Sequence, residues 1–220
     1  MIGTFWIWLN CAIYILVITP TTGTPSSSRI PSSTGAGALD ATPTALTIIQ
    51  AIYAAVDITT KAKSYIQQGP YLVLDMSNSD TSPWGSPDPW YGVTKCLDLL
   101  HSYGSSIRTF VACQRDGAFT LVSGNVSLSS HTQEITRLGP ASPDFAIVSV
   151  VWGALEIRDS AVYQAVYEYK VNGSAVPFEN SFFGIDTLYG MPKSGVIWYT
   201  EDNFLTFKSL YAREGSSVSF

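Results

Sequence analysis

The feature that most constrains this chain is that it carries part of itself twice. Residues 91–122 (YGVTKCLDLLHSYGSSIRTFVACQRDGAFTLV) have a counterpart in residues 189–220 at an offset of 98: Tyr91 meets Tyr189, Gly92 meets Gly190, Lys95 meets Lys193, Arg115 meets Arg213 and Gly117 meets Gly215. Each copy reads as a β-hairpin. Apolar runs flank Gly104-Ser105 in the first, and the offset puts Asp202-Asn203 at the matching turn of the second. Both pairs suit tight two-residue loops.

The residues ahead of each hairpin repeat as well. Residues 45–58 (ALTIIQAIYAAVDI) read as a buried strand, with Ile48, Ile49, Ile52 and Tyr53 as its core. Thr59 or Thr60 can cap a short helix over 61–67, residues 71–76 read as a strand, and a loop punctuated by Pro83, Gly85, Pro87 and Pro89 follows. At an offset of 99, residues 146–157 mirror the first strand, matching Tyr53 with Trp152, Asp57 with Glu156 and Ile58 with Ile157. Asp159 or Ser160 then caps a second helix carrying Ala161, Val162, Ala165, Val166 and Tyr169 at helical spacing. Phe183-Gly184 answers Trp84-Gly85. The expected fold is therefore mainly β: two tandem, homologous, small β-sandwich-like modules, each with one short helix. They span residues 45–124 and 144–220, with a polar connector at 125–143. Modules of about 75 residues bury little surface alone and gain by packing together or by carrying a staple.

Residues 1–23 read as a secretory signal peptide, with an apolar run over about 5–18 that is short for a membrane span and is broken by Pro20. An uncleaved anchor is the alternative; after processing no stable span is expected. Residues 24–44 form a Ser/Thr/Pro-rich leader that cannot bury enough apolar area to offset the entropy of ordering it. The formal net charge of -5, with no block of Lys or Arg, argues against nucleic-acid binding. Secretion is the expectation, and the sequons at Asn125 and Asn172 are the candidate glycosylation sites.

Cys11 lies in the expected signal peptide, leaving Cys96 and Cys113. Counting outward from a Gly104-Ser105 turn brings these two opposite each other. Opposed residues lie about 4.5–5.5 Å apart at Cα, within the range a disulfide needs. The 98 offset puts Ser194 and Tyr211 at these positions in the second copy, confining the bridge to the first module.

Several short motifs carry a resemblance. They are Asp57-Ile58-Thr59 at a strand end, Gly69 at a turn, Trp84-Gly85 and Asp88-Pro89 in the loop, and Gly92-Val93-Thr94-Lys95 before the hairpin. In these the first module resembles a small β-rich domain of uncharacterised function found in secreted fungal and bacterial proteins, itself similar to the C-terminal domain of certain DnaJ-type proteins. The second module departs, with Glu156-Ile157-Arg158 for the triplet, no proline after Asp186 and Gly190-Met191-Pro192-Lys193 for the last motif. The resemblance implies no catalytic residue.

The chemistry of the side chains points the same way. His101 and His131 belong to no ligand-spaced cluster, so no metal site is expected. No nucleophile elbow, P-loop or dinucleotide fingerprint appears, and no cofactor is implied. His101 is expected to face a sheet surface or solvent. Asp57, Asp75, Asp88, Glu156 and Glu179 can in principle supply an acid and base, but Asp57 and Glu156 recur at a strand end, where capping and turn formation are the ordinary roles. The aromatic loops stand out: Trp84, Asp88, Trp90 and Tyr91 in the first module, Phe183 and Tyr189 in the second, as candidate ligand-binding residues. Aromatic faces stack on sugars or line apolar pockets, and equally fold inward to cover small sheets. The first functional expectation is a secreted non-catalytic binding protein for a carbohydrate, a cell-wall component or an extracellular host protein. The alternatives are a cofactor-free isomerase- or cyclase-type enzyme or carrier, with a pocket for an apolar small molecule between the modules, and a secreted toxin or effector.

Overall fold

The computed structural model describes residues 46–65, 71–75, 88–114, 116, 118–122, 132–135, 138–142 and 144–220. The expectations placed on residues 1–44, on Trp84 and on Asn125 lie outside the described residues.

The protein is mainly β. In order, β1 (Leu46–Tyr53), β2 (Val56–Asp57), α1 (Thr59–Tyr65), β3 (Tyr71–Asp75), β4 (Cys96–Tyr103), β5 (Ser106–Cys113) and β6 (Ala118–Val122) are followed by β7 (Thr132–Glu134) and β8 (Ala141–Ser142). Then come β9 (Phe145–Trp152), β10 (Leu155–Ile157), α2 (Ser160–Val171), β11 (Val176–Phe178), α3 (Asn180–Phe183), β12 (Ser194–Thr200), β13 (Lys208–Arg213) and β14 (Ser216–Val218). One antiparallel sheet has the order β2-β1-β4-β5-β7 and a second the order β10-β9-β12-β13, with β8 also on β9. Two small ribbons, β3-β6 and β11-β14, stand beside them. The segment expected as a mere connector thus supplies an edge strand to each sheet.

The runs expected as single strands at residues 45–58 and 146–157 each fold back on themselves. Ala54 and Ala55 both take positive φ (50° and 61°) between β1 and β2, and Gly153 (φ 58°) does so between β9 and β10. Both long strands carry a register shift at the same place, between Ile48 and Gln50 in β1 and opposite Trp198/Tyr199 in β9. Helix starts follow the expected chemistry. The Asp57 carboxylate accepts from the Thr59 amide, and Asp159 caps α2 by accepting from Ala161 N at 2.9 Å. The second half has two helices, α2 and the single-turn α3, rather than the one expected.

The sheets are buried on both faces. Ala51, Tyr53, Leu97, Leu99, Phe110 and Ala112 of the first sheet pack outward under Ile58 and Ala62. Ile147, Val150, Trp152 and Ile197 of the second pack under Val162, Tyr163 and Val166 of α2 and under Phe178 and Phe183. A third cluster joins the sheets to each other: Ile52, Leu100 and Val111 from the first against Val148, Val151, Val196 and Trp198 from the second. The sandwich therefore forms between the two halves, whereas the sequence pointed to one inside each. A four- or five-stranded sheet with one short helix leaves a whole face uncovered, and the other half's sheet covers it.

Cys96 and Cys113 are paired in register and disulfide-bonded. The bond closes a 17-residue separation, so replacing both cysteines with alanine should cost about 3 kcal/mol on the loop-entropy account. Urea unfolding of the double variant beside the wild type, without reductant, measures it.

The second hairpin corrects the simple offset. Ser194 pairs with Arg213, and Tyr211 pairs with Val196. The return strand is thus offset by 100 from the first hairpin, not 98, and Asp202-Asn203 is not a two-residue turn. Instead residues 201–207 form a longer loop. The Asp202 carboxylate accepts from Thr206 N at 2.8 Å, Thr200 Oγ1 accepts from Phe204 N at 3.0 Å, and Asn203 and Phe204 take positive φ. These local bonds offer the backbone an alternative to the tighter turn.

Candidate functional site

Between β3 and β4, and again between α3 and β12, the chain makes the same loop twice. Asp88 Oδ1 accepts from Trp90 N at 2.8 Å, and Asp186 Oδ1 accepts from Leu188 N at 3.2 Å. A turn follows in each: Val93 N donates to Trp90 O at 3.3 Å, and Met191 N donates to Leu188 O at 3.0 Å. Gly92 (φ 76°) and Gly190 (φ 73°) take the third position of these turns. That left-handed conformation suits the third position of a type II turn and strains any other L-residue.

Each loop ends on a buried lysine. Lys95 Nζ lies 3.0 Å from Asp88 Oδ2 and donates to Val93 O at 2.8 Å. Lys193, 1% exposed, lies 2.8 Å from Asp186 Oδ1 and 3.2 Å from Glu214 Oε2, with its ammonium 5.5 Å from the centroid of the Trp152 ring. Burial pushes the Asp88 carboxyl up, but the Trp90 amide and Lys95 outweigh it and hold the group below its ordinary value. The hydrogen bond from Lys193 leads in holding Asp186 down. The residue that follows each hairpin's return strand closes the arrangement. Gln114 N donates to Lys95 O and its side-chain oxygen accepts from Lys95 N; Glu214 N donates to Lys193 O and its carboxylate accepts from Lys193 N. Gln114 also donates to Tyr53 Oη at 3.2 Å, and the Tyr53 phenol is pushed up to about 12, by burial first and Asp88 second. A buried charge paired and hydrogen-bonded on several sides fixes the loop in one geometry.

What these loops hold out to solvent is a tyrosine. Tyr91 is 92% exposed and Tyr189 93% exposed. The loops touch: Thr94 Oγ1 lies 3.5 Å from Met191 Sδ, Arg213 donates to Pro89 O at 2.5 Å, and its guanidinium stands 4.7 Å from the centroid of the Trp90 ring. Ile185 and Met191 add exposed apolar surface to the second loop.

The candidate residues therefore divide. Tyr91 and Tyr189 are each exposed on loops that touch. Trp90 is half-buried against the outer core of the first sheet and beneath Arg213, and Asp88 is engaged with Lys95. Phe183 is 2% exposed and stacks on Trp152 at 4.6 Å, so it contributes to the core beneath the loop and not to its surface. Asn172 is exposed at the C-terminal cap of α2. Asp57 and Glu156 have the local roles expected of them: Asp57 accepts from Thr59 N, and Glu156 binds Ser149 Oγ at 2.8 Å and Arg158 at 3.0 Å. His101, expected at a surface, is fully buried and its ring nitrogens have no hydrogen-bond partner. Burial, with Arg108 adding to it, pulls its imidazole down to about 4. It lies inside because the strand that carries it is covered on both faces.

Sequence reasoning missed the two lysines. Their signal was present: an Asp and a Lys seven positions apart, repeated at an offset of 98. Among the described residues there is no group of three or more His, Cys, Asp or Glu placed to hold a metal ion, and no helix is long and apolar enough to cross a membrane. The junction between the sheets, where one of the alternative readings put a pocket, carries the side chains of the third cluster. Comparison of the chain with protein-family models, with curated proteins and with solved structures returned no match.

Proposed function

We propose that this chain is a secreted, non-catalytic binding protein in which two tandem modules each present one rigid Tyr-Gly loop, and that the paired tyrosines stack on a carbohydrate. The observation that carries the reading is the near-complete exposure of Tyr91 and Tyr189 on matching, internally bonded loops that touch each other. An exposed aromatic contributes nothing to the core, and a ring held in place loses little entropy when a flat apolar face settles on it. The neutral rims of these loops suit an uncharged, hydroxyl-rich ligand: the lysines are buried against their carboxylates and do not point outward. The disulfide is compatible with an extracellular setting.

The test is a glycan array on the protein, followed by calorimetric titration of the sugar it selects. Each of Tyr91→Ala and Tyr189→Ala should weaken binding about tenfold, the loss of roughly 1.4 kcal/mol of stacking, and the double variant should bind at background. The melting temperature should stay where it is, because neither ring is packed. A double variant that binds as tightly as the wild type sinks the assignment.

A further inference from the structure

The least explained group in the molecule is Asp98. It sits in the apolar centre of β4, opposite Ile52 of β1 on one side and Val111 of β5 on the other, and these neighbours face the second sheet. The carboxyl is 0% exposed and neither oxygen has a hydrogen-bond partner among the described residues. It is the counterpart of Val196 at the 98 offset, the residue that fills the equivalent place in β12 and joins the junction core. The next row across the same sheet repeats the anomaly. Gln50 and Thr109 flank Leu100, and Gln50 Oε1 and Thr109 Oγ1 have no partner; Trp198 Nε1 on the facing sheet has none either. Unpartnered polar atoms in so apolar a layer mark the junction as a place where stability was given up.

The charged groups that share this face are already engaged. Asp57, in the same cross-strand row through Ile52, is exposed and bonded to Thr59 N. On the second sheet Glu156 pairs with Val151 and holds Arg158 and Ser149. Tyr211 pairs with Val196, and Arg213, beside Ser194, reaches out to Pro89 and Trp90. No cation is therefore given to Asp98, and an ionised carboxylate without one is far costlier in such a place than a neutral carboxylic acid.

We propose that Asp98 makes the junction between the two sheets an acid-dependent lock, closed while its carboxyl is neutral and weakened as it ionises. This is independent of what Tyr91 and Tyr189 bind. The direction follows from linkage. Burial raises the Asp98 carboxyl well above its ordinary value, so the folded protein holds a proton that the unfolded chain has lost. Its contribution is complete below about pH 3.9 and declines as pH rises above that. His101 acts with the opposite sign: its imidazole, held at about 4, leaves the unfolded chain with the extra proton, so stability rises with pH until the ordinary histidine value near 6.5. The carboxyls of Asp88, Asp186, Glu201 and Asp202 are held low and contribute changes only in the acid range. The raised phenols of Tyr53 and Tyr163 act only in the alkaline range. None of these other groups lowers stability as pH rises from about 5 to 8.5, so a fall that a neutral residue at position 98 removes is Asp98's own.

Urea unfolding of the full protein from pH 5 to 8.5 is the test, with hydrogen exchange of β4, β9 and β12 amides, corrected for the intrinsic effect of pH, as the local readout. As pH rises, the folding equilibrium of the wild type should fall, by up to tenfold per pH unit, against that of a variant neutral at position 98, with junction amides losing protection. Asp98→Asn should remove that slope. Should the Asn variant not fold, Asp98→Val, which copies Val196, should both fold and lack that fall. A wild-type profile that runs parallel to that of the neutral variant from pH 5 to 8.5 overturns the proposal.

Discussion

Replacing Trp152 with alanine should lower the stability of the protein by about 3–5 kcal/mol, the cost of emptying the site of a large buried aromatic. The ring has no exposed surface. It stacks on Phe183 at 4.6 Å, lies against Phe178 and beneath the Lys193 ammonium, and donates from Nε1 to Asn180 Oδ1 at 2.8 Å. Asn180 in turn donates to Glu214, so the deletion also loosens the residue that closes the second loop. Unfolding by urea measures the loss. A cost below about 1 kcal/mol, the level of a surface change, rules out the packing described.

Gly195→Leu is the second large effect, about 3 kcal/mol or more from overpacking. A Cβ there would stand 2.7 Å from Trp152 Cε3 and 2.7 Å from the carbonyl oxygen of Val151, and the backbone oxygen of a paired strand has nowhere to go. Its counterpart in the first half is Leu97, which lies opposite Tyr53 as Gly195 lies opposite Trp152. Volume has been traded within the pair: the larger ring faces the residue with no side chain. The Trp152→Tyr/Gly195→Leu double variant, which copies the first half, should therefore recover part of the loss of Gly195→Leu alone. Strictly additive costs in the double-mutant cycle would argue against the exchange.

How much of this was legible in the sequence depended on the distance over which each feature is decided. The β4–β5 hairpin was legible to the residue, because Gly104-Ser105 and the cysteine pair set its register locally. The second hairpin was not. Asp202-Asn203 has the chemistry of a tight turn, and Arg213 and Gly215 matched Arg115 and Gly117 by identity; the bonds of Thr200 and Asp202 to the loop backbone decided otherwise. His101 was misjudged, and Asp98 passed over, for a different reason. Alternation along a strand says which residues share a face, but not whether that face is covered. The cover on the Asp98 face comes from residues 148–198, too far along the chain for any local pattern to announce. The Tyr91 and Tyr189 loops were visible as repeats, yet the lysines that hold them became evident only when the strands brought Gln114 and Glu214 alongside.

The Cys96–Cys113 bond has a consequence beyond stability. The two hairpins differ by a two-residue displacement of the return strand, so this family of strands tolerates more than one way of mating. A slip of a single residue turns every side chain of a strand to the other side of its sheet. Bonded sulfurs on directly opposed residues leave the first hairpin one alignment, the one in which Asp98, Leu100 and Val111 look toward the second sheet. The bond therefore holds the ribbon in the orientation that docks: it fixes which of its sides the second sheet covers. Without that bond, mispairing would fall on the strand that carries the one unneutralised buried acid among the described residues.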